Sequence, residues 1–580
     1  MASLFSRLNP VPTFPEHTGP HKVGTVDIEI PVSVLDAPSP TPKGAADVHT
    51  VQCRIFYPAI PESDGSGHKR IPWLPSPQRL QVSAYAQFLG IGPVAASLLS
   101  FIPRHLHYVL VPAHKNATLL RPDPDSPNPR WPTVIFSHGL GGNRNTYSHV
   151  AGSLASHGVV VVCPEHRDGS AAVSLVRDPK NQDRFFVKNT RHALPYIRIP
   201  HKQTTEIWEA RDKQMRIRLW ELGLGMEALV AIDNGNEQTI KSNMNSSTPE
   251  AALLQFAGLL DVQQPGRVIF GGHSFGAATM VQLLKSTYYA DVPEVTNMTS
   301  PLFVPKKSSA ISRQITARNP SFLLDMWCFP LMSAASAPLF NLPLPVYADD
   351  HSAPGGDGLL AIESQAFYKW KENLHMKARI LSPEPSNQVV SPTAFERPTG
   401  IKMSEPSFFW VETSAHLSQS DFGILFPWLT KKVFGAEQPE RCLRLNTRAQ
   451  LQFLRNNGYS VARTWVGDLV DGAGGVKEEM TVPVGGDRGI DDGINDDEAI
   501  LARDEIGTIE AWKWIDIVGM GGKAGPTELE GLARAAHDEE QDGADNGGER
   551  EMESEMEPAL VPGAEGKVAS PALDVVVDRD

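Results

Sequence analysis

The chain is predicted to form an α/β fold: a mostly parallel central sheet flanked by helices, followed by a disordered acidic C-terminal tail. Three observations carry this. Short apolar runs alternate with helical stretches, the pattern that builds parallel sheets. One run, residues 158–164 (GVVVVCP), is almost continuously β-branched, as suits a strand buried on both faces. The charge is also divided. The 580 residues carry a formal net charge of −14, yet residues 485–580 alone hold 26 acids against 8 bases. Residues 1–484 hold 41 acids against 45 bases, so the body is close to neutral. That balance gives a nucleic-acid partner no electrostatic support.

Residues 1–20 are rich in Pro and are expected to be flexible. Residues 23–34 (VGTVDIEIPVSV) and 51–57 alternate as strands do. Residues 131–142 (WPTVIFSHGLGG) form an apolar run that ends in a Gly-rich turn. Residues 203–235 carry Trp, Leu and Met at helical spacing and predict one long helix. Residues 267–270 predict a short strand that enters GGHSFGAATMVQLLK, a turn followed by a helix. Residues 321–324 and 344–347 are two further strand-like runs. The folded domain is expected over 21–462, with insertions near 291–320 and 378–407, both rich in Pro, Ser, Lys and Arg. Periodicity fades over 463–580, and residues 537–557 hold ten acids against one Arg, a composition that cannot bury enough apolar surface to fold. Within that tail only 506–520, with Trp512 and Trp514, is expected to be helical.

Four scattered cysteines (Cys53, Cys163, Cys328, Cys442) without a CxxC spacing exclude a disulfide scaffold and a zinc ribbon, and suit a reducing compartment. The N-terminus has no basic region followed by an apolar one, and Ala2 excludes N-myristoylation, so a cytoplasmic location is expected. Residues 80–103 are uncharged, but Gln81, Gln87, Gly90, Gly92 and Pro93 interrupt them, which argues against a transmembrane segment. Short amphipathic helices are expected instead, with Phe88, Leu89, Leu98, Leu99 and Phe101 as candidates for peripheral contact with a membrane.

The strongest local signal is Gly272-His273-Ser274-Phe275-Gly276 between a strand and a helix. This is the nucleophile elbow of the α/β-hydrolase fold: a serine on a strained turn, flanked by glycines because the backbone crowds there. A serine hydroxyl is a weak nucleophile and needs a base, itself oriented by an acid. The chain order Ser, acid, His leaves His351, His375, His416 and His537 as bases. His416, in a loop after the strand-like FFWVET, is best placed. Asp325, Asp349 and Asp350 each follow a strand-like run and compete as the acid. Two backbone N–H donors are needed for the oxyanion, and Leu140 in Ser137-His138-Gly139-Leu140-Gly141-Gly142, with Phe275, is the candidate pair. His138, His166 and His273 are read as structural hydrogen-bonders. No HExxH or clustered ligand set is present, so no metal or other cofactor is expected.

The blocks SHGLGGNR, LASHGVVVVCPEHRDGSA, GGHSFGAAT, LLDMWCFPL and AHLSQSDF, in this order, resemble the platelet-activating factor acetylhydrolases of the plasma and intracellular type II kind. The resemblance runs from about Thr18 to Asn456. It implies a calcium-independent phospholipase A2 that hydrolyses short or oxidised sn-2 acyl esters, with a phospholipid as substrate. It places the nucleophile on Ser274, the acid on Asp325, the base on His416 and the oxyanion donors on Leu140 and Phe275. It thereby favours Asp325 over Asp349 and Asp350. Two rival readings are a general carboxylesterase acting on non-lipid esters and a catalytically silent hydrolase-fold binding protein.

Overall fold

The computed structural model describes residues 11–61, 69–101, 104–178, 180, 191–397, 400, 402–469, 493–503 and 508–521. In chain order the strands are β1 (Lys22–Pro31), β2 (Thr50–Ala59), β3 (Arg70–Pro72), β4 (Leu110–Lys115), β5 (Thr133–Ser137), β6 (Val160–Pro164), β7 (Val173–Arg177), β8 (Arg191–Pro195), β9 (Ile269–His273), β10 (Ser321–Leu324), β11 (Leu359–Ser364), β12 (Ser407–Val411), β13 (Thr464–Trp465), β14 (Gly493–Ile494) and β15 (Trp512–Trp514). Eleven of them form one sheet in the order β15-β12-β11-β10-β9-β5-β6-β2-β1-β4-β3. The run from β12 to β6 is parallel throughout, while β2 joins β6 and β15 joins β12 antiparallel. This is an α/β-hydrolase sheet, as the sequence predicts.

Burial on both faces explains the β-branched run in β6. Val160 and Val162 enter one core cluster, and Val161 and Cys163 enter the other. The first core packs against helices Thr205–Asp233 and Phe275–Tyr288, and the second against Ser148–Ser156 and Pro439–Asn456. The long helix starts where its sequence predicts. The Thr204 side chain accepts from Ile207 N–H and satisfies one of the orphan donors of the first turn.

Several expectations are corrected. Residues 344–347 do not form a strand but a 3-10 turn, Pro345–Tyr347, because Pro343 and Pro345 have no N–H to offer a ladder. The strand beside β10 is instead β11, whose LLAIES run follows a Gly-rich turn. The segments expected as insertions are packed into the body: Leu302, Phe303 and Ile311 from the first, and Leu381, Val390 and Phe395 from the second, lie in the first core. Residues 11–20 are anchored as well, with Phe14 buried and Gly19 N–H donating to Ser156 Oγ at 3.0 Å. Of the stretch 506–520, the described residues 508–520 supply β15 rather than a helix, since Trp512 and Trp514 share one face against the edge of β12. Ile500, Ile509 and Trp512 join the second core, and Asp497 pairs with buried Arg448 at 2.8 Å. The rest of the tail, 470–492, 504–507 and 522–580 with His537, lies outside the described residues, as do 1–10.

Candidate active site

The site is assembled at the C-terminal ends of the parallel strands, where loops leave β5, β9, β10 and β12. Ser274 ends β9 and caps helix Phe275–Tyr288 with φ 55° and ψ −120°, a strained conformation for a residue with a side chain. The flanking glycines are sterically required. A Cβ on Gly276 would stand 2.1 Å from Ser137 O, and one on Gly272 would stand 2.6 Å from Gly276 C. The turn is braced by Ser274 N–H donating to Leu324 O at 2.9 Å and by Trp327 N–H donating to Ser274 O at 3.3 Å.

Asp325, directly after β10, also has a positive φ, 42°, and is fully buried. Its two oxygens are divided. Oδ1 accepts Ser364 N–H at 2.6 Å, and Oδ2 lies 3.0 Å from His416 Nδ1. The structure therefore brings Asp325 to His416. Asp349 and Asp350 are exposed on the loop after the 3-10 turn, with Asp349 near Arg397 at 3.5 Å. His351 is exposed, and His375 faces Gly521 O from helix Lys371–Ile380.

The His416 ring lies between two others. Its centroid is 4.3 Å from that of His273 and 4.4 Å from that of Phe367, nearly parallel to the latter at 11°. His273 directly precedes Ser274, so this stack places the imidazole beside the turn that bears Ser274. Gly139 N–H donates to Tyr147 Oη at 3.2 Å, and Tyr147 Oη is 2.7 Å from His273 Nδ1. The phenol can thus give its own proton to Nδ1, which leaves the His273 proton on Nε2, 4.0 Å from Asp325 Oδ2. Burial, with the neighbouring His416 charge, holds His273 well below the ordinary imidazole value, so it stays neutral.

The loop after β5 is held from behind by a buried polar network. Gly141 N–H donates to Ser170 O at 2.7 Å and Gly142 N–H to Gly139 O at 3.2 Å. Leu140 N–H, between them, has no partner among the described residues. Phe275 N–H opens the elbow helix, where backbone donors have no intrahelical acceptor. Arg218, fully buried, ties the two together. It donates to His138 O at 2.8 Å, to Asp168 Oδ2 at 2.8 Å and to Ser170 Oγ at 2.6 Å, and its guanidinium lies 4.3 Å from the Phe275 ring centroid. His138 and His166 belong to this network. Burial and then the Arg218 charge keep both well below the ordinary value, in keeping with structural roles.

Of the surface candidates, Leu89, Leu98, Leu99 and Phe101 are exposed, together with Val94 at 76%. Phe88 is not. It packs against Tyr196 at 4.8 Å and over Gly141, where a Cβ would stand 2.7 Å from it. It is a contact between helix Gln78–Phe88 and the loop bearing Leu140, reinforced by Asn143 Nδ2 donating to Tyr85 Oη at 2.9 Å. Helix Pro427–Phe434 follows the His416 loop and exposes Trp428, Leu429 and Val433. No described helix is long and apolar enough to cross a membrane. The ligating atoms of His273, Asp325 and His416 lie within 4.8 Å of one another and could hold a metal ion. The same atoms form the Asp325–His416 contact, so an ion there would compete with it.

Sequence reasoning missed Tyr147, Arg218, Phe367 and Ser364. Only Arg218 left a signal, a charge inside the apolar stretch IRLWELGL of a long helix.

Fold and elbow together define the α/β-hydrolase class. The profile of the family Platelet-activating factor acetylhydrolase, isoform II, matches residues 8–467, and the chain belongs to that family. A putative phospholipase A2 of Schizosaccharomyces pombe is 26% identical over 431 residues, 71% of this chain and 84% of that protein. The platelet-activating factor acetylhydrolase of Gallus gallus is 23% identical over 472 residues, 79% of this chain and 87% of the relative. The one from Cavia porcellus is 29% identical, and that match spans 47% of this chain and 52% of the relative. A solved ferulic acid esterase from Streptomyces cinnamoneus is similar at 15% identity and a TM-score of 0.42, over 76% of this chain and 92% of that one.

Proposed function

We propose that this protein hydrolyses the short or oxidised sn-2 acyl ester of platelet-activating-factor-like phospholipids, with Ser274 as nucleophile, His416 as base and Asp325 as its orienter. The observation that carries the reading is the 3.0 Å contact between His416 Nδ1 and Asp325 Oδ2, with the His416 ring stacked on the residue that precedes the strained serine. Ser274 Oγ attacks the ester carbonyl and its proton passes to His416 Nε2. Asp325 keeps the other ring proton on Nδ1 and stabilises the imidazolium. The Leu140 and Phe275 N–H groups receive the oxyanion. Collapse of the tetrahedral intermediate breaks the C–O bond, and the lysophospholipid alkoxide leaves with the His416 proton. Water, deprotonated by His416, then frees the acid from Ser274.

Family membership and the two relatives named as acetylhydrolases support the acetyl-type substrate. The exposed apolar residues support entry from a lipid surface. Leu89, Leu98, Leu99 and Phe101 lie on or just after helices Gln78–Phe88 and Pro93–Leu99, the first of which touches the Leu140 loop, and Trp428 follows the His416 loop. Such faces bind membranes by burying apolar area. The deciding experiment is a series of sn-2 chain lengths on the purified protein, with and without EDTA. Turnover is expected to fall as the unoxidised chain lengthens and to be indifferent to chelation. A preference for long chains or for non-lipid aryl esters would overturn the reading. Replacing Leu98 and Leu99 with Ser is expected to lower partition onto phospholipid vesicles by about tenfold or more.

A further inference from the structure

The chain buries several arginines completely, and their partners form an internal control. Arg167 pairs with Glu221, Arg177 with Glu29, Arg218 with Asp168 and Arg448 with Asp497. Arg211, equally buried, is in no ion pair among the described residues. Its hydrogen bonds go to neutral oxygens, Gln214 Oε1 at 2.9 Å and Ile199 O at 2.8 Å, and its Nε has no partner; the Tyr196 phenol is a further neutral neighbour, and the carboxylate that acts on it, Asp168, is already paired with Arg218 at 2.8 Å. A buried guanidinium without a counter-charge is costly, which is why buried charges are ordinarily paired.

The place of this cation is informative. Arg211 lies 5.1 Å from the centroid of Trp327, whose backbone N–H holds Ser274 O and whose ring is 6.0 Å from that of Phe275. The edge of the same indole meets His201 at 5.1 Å, and both ring nitrogens of His201 are buried without a hydrogen-bond partner. One unpaired cation and two unused imidazole nitrogens therefore converge on a single indole beside the nucleophile turn. Arg198 adds positive charge nearby, with its guanidinium on Phe88 O at 3.1 Å.

The geometry points to Arg211 and His201 as an oxyanion-binding subsite that recognises an anionic group carried by the ester substrate. This rests on the ester-hydrolase reading above and narrows it to esters bearing a second, negatively charged function. Two parts of a lipid ester supply that chemistry: the carboxylate at the end of an oxidised acyl chain and the phosphate of a glycerophospholipid. A guanidinium suits both, because its paired N–H groups match the spacing of two oxygens.

Matched substrate pairs test the subsite and separate the two sources. The first pair is p-nitrophenyl glutarate against p-nitrophenyl pentanoate, and the second is dibutyroylglycerophosphocholine against tributyroylglycerol. The wild-type protein is expected to favour the charged member of at least one pair in kcat/KM. Arg211→Gln should lower that charged-to-neutral ratio by about tenfold or more, mainly through KM, and Arg211→Lys by less. If Arg211→Gln fails to fold, His201→Gln decides, with a smaller loss of the same ratio expected. Ratios equal to wild type in the folded variant, or no charged preference in the wild type, would overturn the subsite alone. A wild type that hydrolyses neither neutral ester and takes no fluorophosphonate label would instead overturn the hydrolase reading, and the subsite with it.

Discussion

Behind the loop of Leu140 the protein places charge, whereas around the His416 imidazole it places rings. The loop is gripped by Arg218, which reaches His138 O, Ser170 Oγ and Asp168 and covers Phe275. The imidazole is held between His273 and Phe367 and meets one carboxylate. Lys377 is paired with Glu363, and its ammonium sits 5.3 Å from the Phe367 ring. The difference fits the roles proposed for each half. Backbone donors keep the same charge throughout the reaction, so a permanent ion can fix them. An imidazole that gains and loses a proton would be opposed by a bare cation alongside. Neutral rings restrain its orientation without setting its charge.

The largest test of this division is Ser274→Ala, which should lower turnover of a soluble aryl ester by about 10⁶, as in related triads, with an unchanged melting curve. Near-wild-type turnover would remove the elbow from the mechanism. Next comes Asp325→Asn, expected to lower kcat by ~10⁴ because an amide can hold the wrong imidazole tautomer. Asp349→Asn and Asp350→Asn should leave kcat within about twofold, since exposed positions away from special features rarely matter. The reverse order would assign the acid to the later loop. Arg218→Lys keeps the charge but loses the fork. It should lower kcat by ~10²–10³, the magnitude of a lost oxyanion donor, with little change in KM or in the pH profile of kcat. A shifted pH profile would show that the two halves are not separately held.

The smallest effect is on stability. Burial holds His138, His166 and His273 well below the usual imidazole value and pushes His149 down to about 4. The unfolded chain takes up these protons near pH 6.5 while the folded chain does not. Their contribution to stability is therefore complete above that pH and is lost as pH falls below it, by up to ~1.4 kcal/mol per unit for each histidine, whereas Glu363 and Asp421, both raised to about 8 by burial, act in the opposite sense. Proton NMR titration of these rings between pH 7.5 and 5.5 checks this, and a ring that titrates near 6.5 in the folded protein would show that it is charged in the fold.

Much of the parallel centre was legible, because local pattern and burial agree there. The β-branched run of β6, the strand of β10 and the glycines around Ser274 each state their environment in adjacent residues. The acid was not legible from spacing, since Asp325, Asp349 and Asp350 all follow apolar runs. Pro343 and Pro345 separate them in hindsight, by disqualifying the later run as a strand. The supports of the site were hidden for a different reason. Tyr147, Phe367 and Ser364 act on partners many residues away in the chain, and no local period encodes that. The C-terminal segment misled in the opposite sense, because its acids masked Ile500, Ile509 and Trp512, which complete the second core.

That segment bears on where the folded unit stops. The family profile ends at residue 467, yet β15, at Trp512–Trp514, pairs with β12, the strand that leads into the His416 loop. Without it, β12 would be the last strand of an eleven-membered sheet shortened by one, with a row of unmatched amides and carbonyls facing water. Such a margin is a template for another chain, and natural proteins cover it. A chain cut after Val484 would thus lose more than acidic residues. It would uncover the flank of the strand that leads into the His416 loop and invite self-association there, so we propose that the smallest self-sufficient unit extends at least through Trp514.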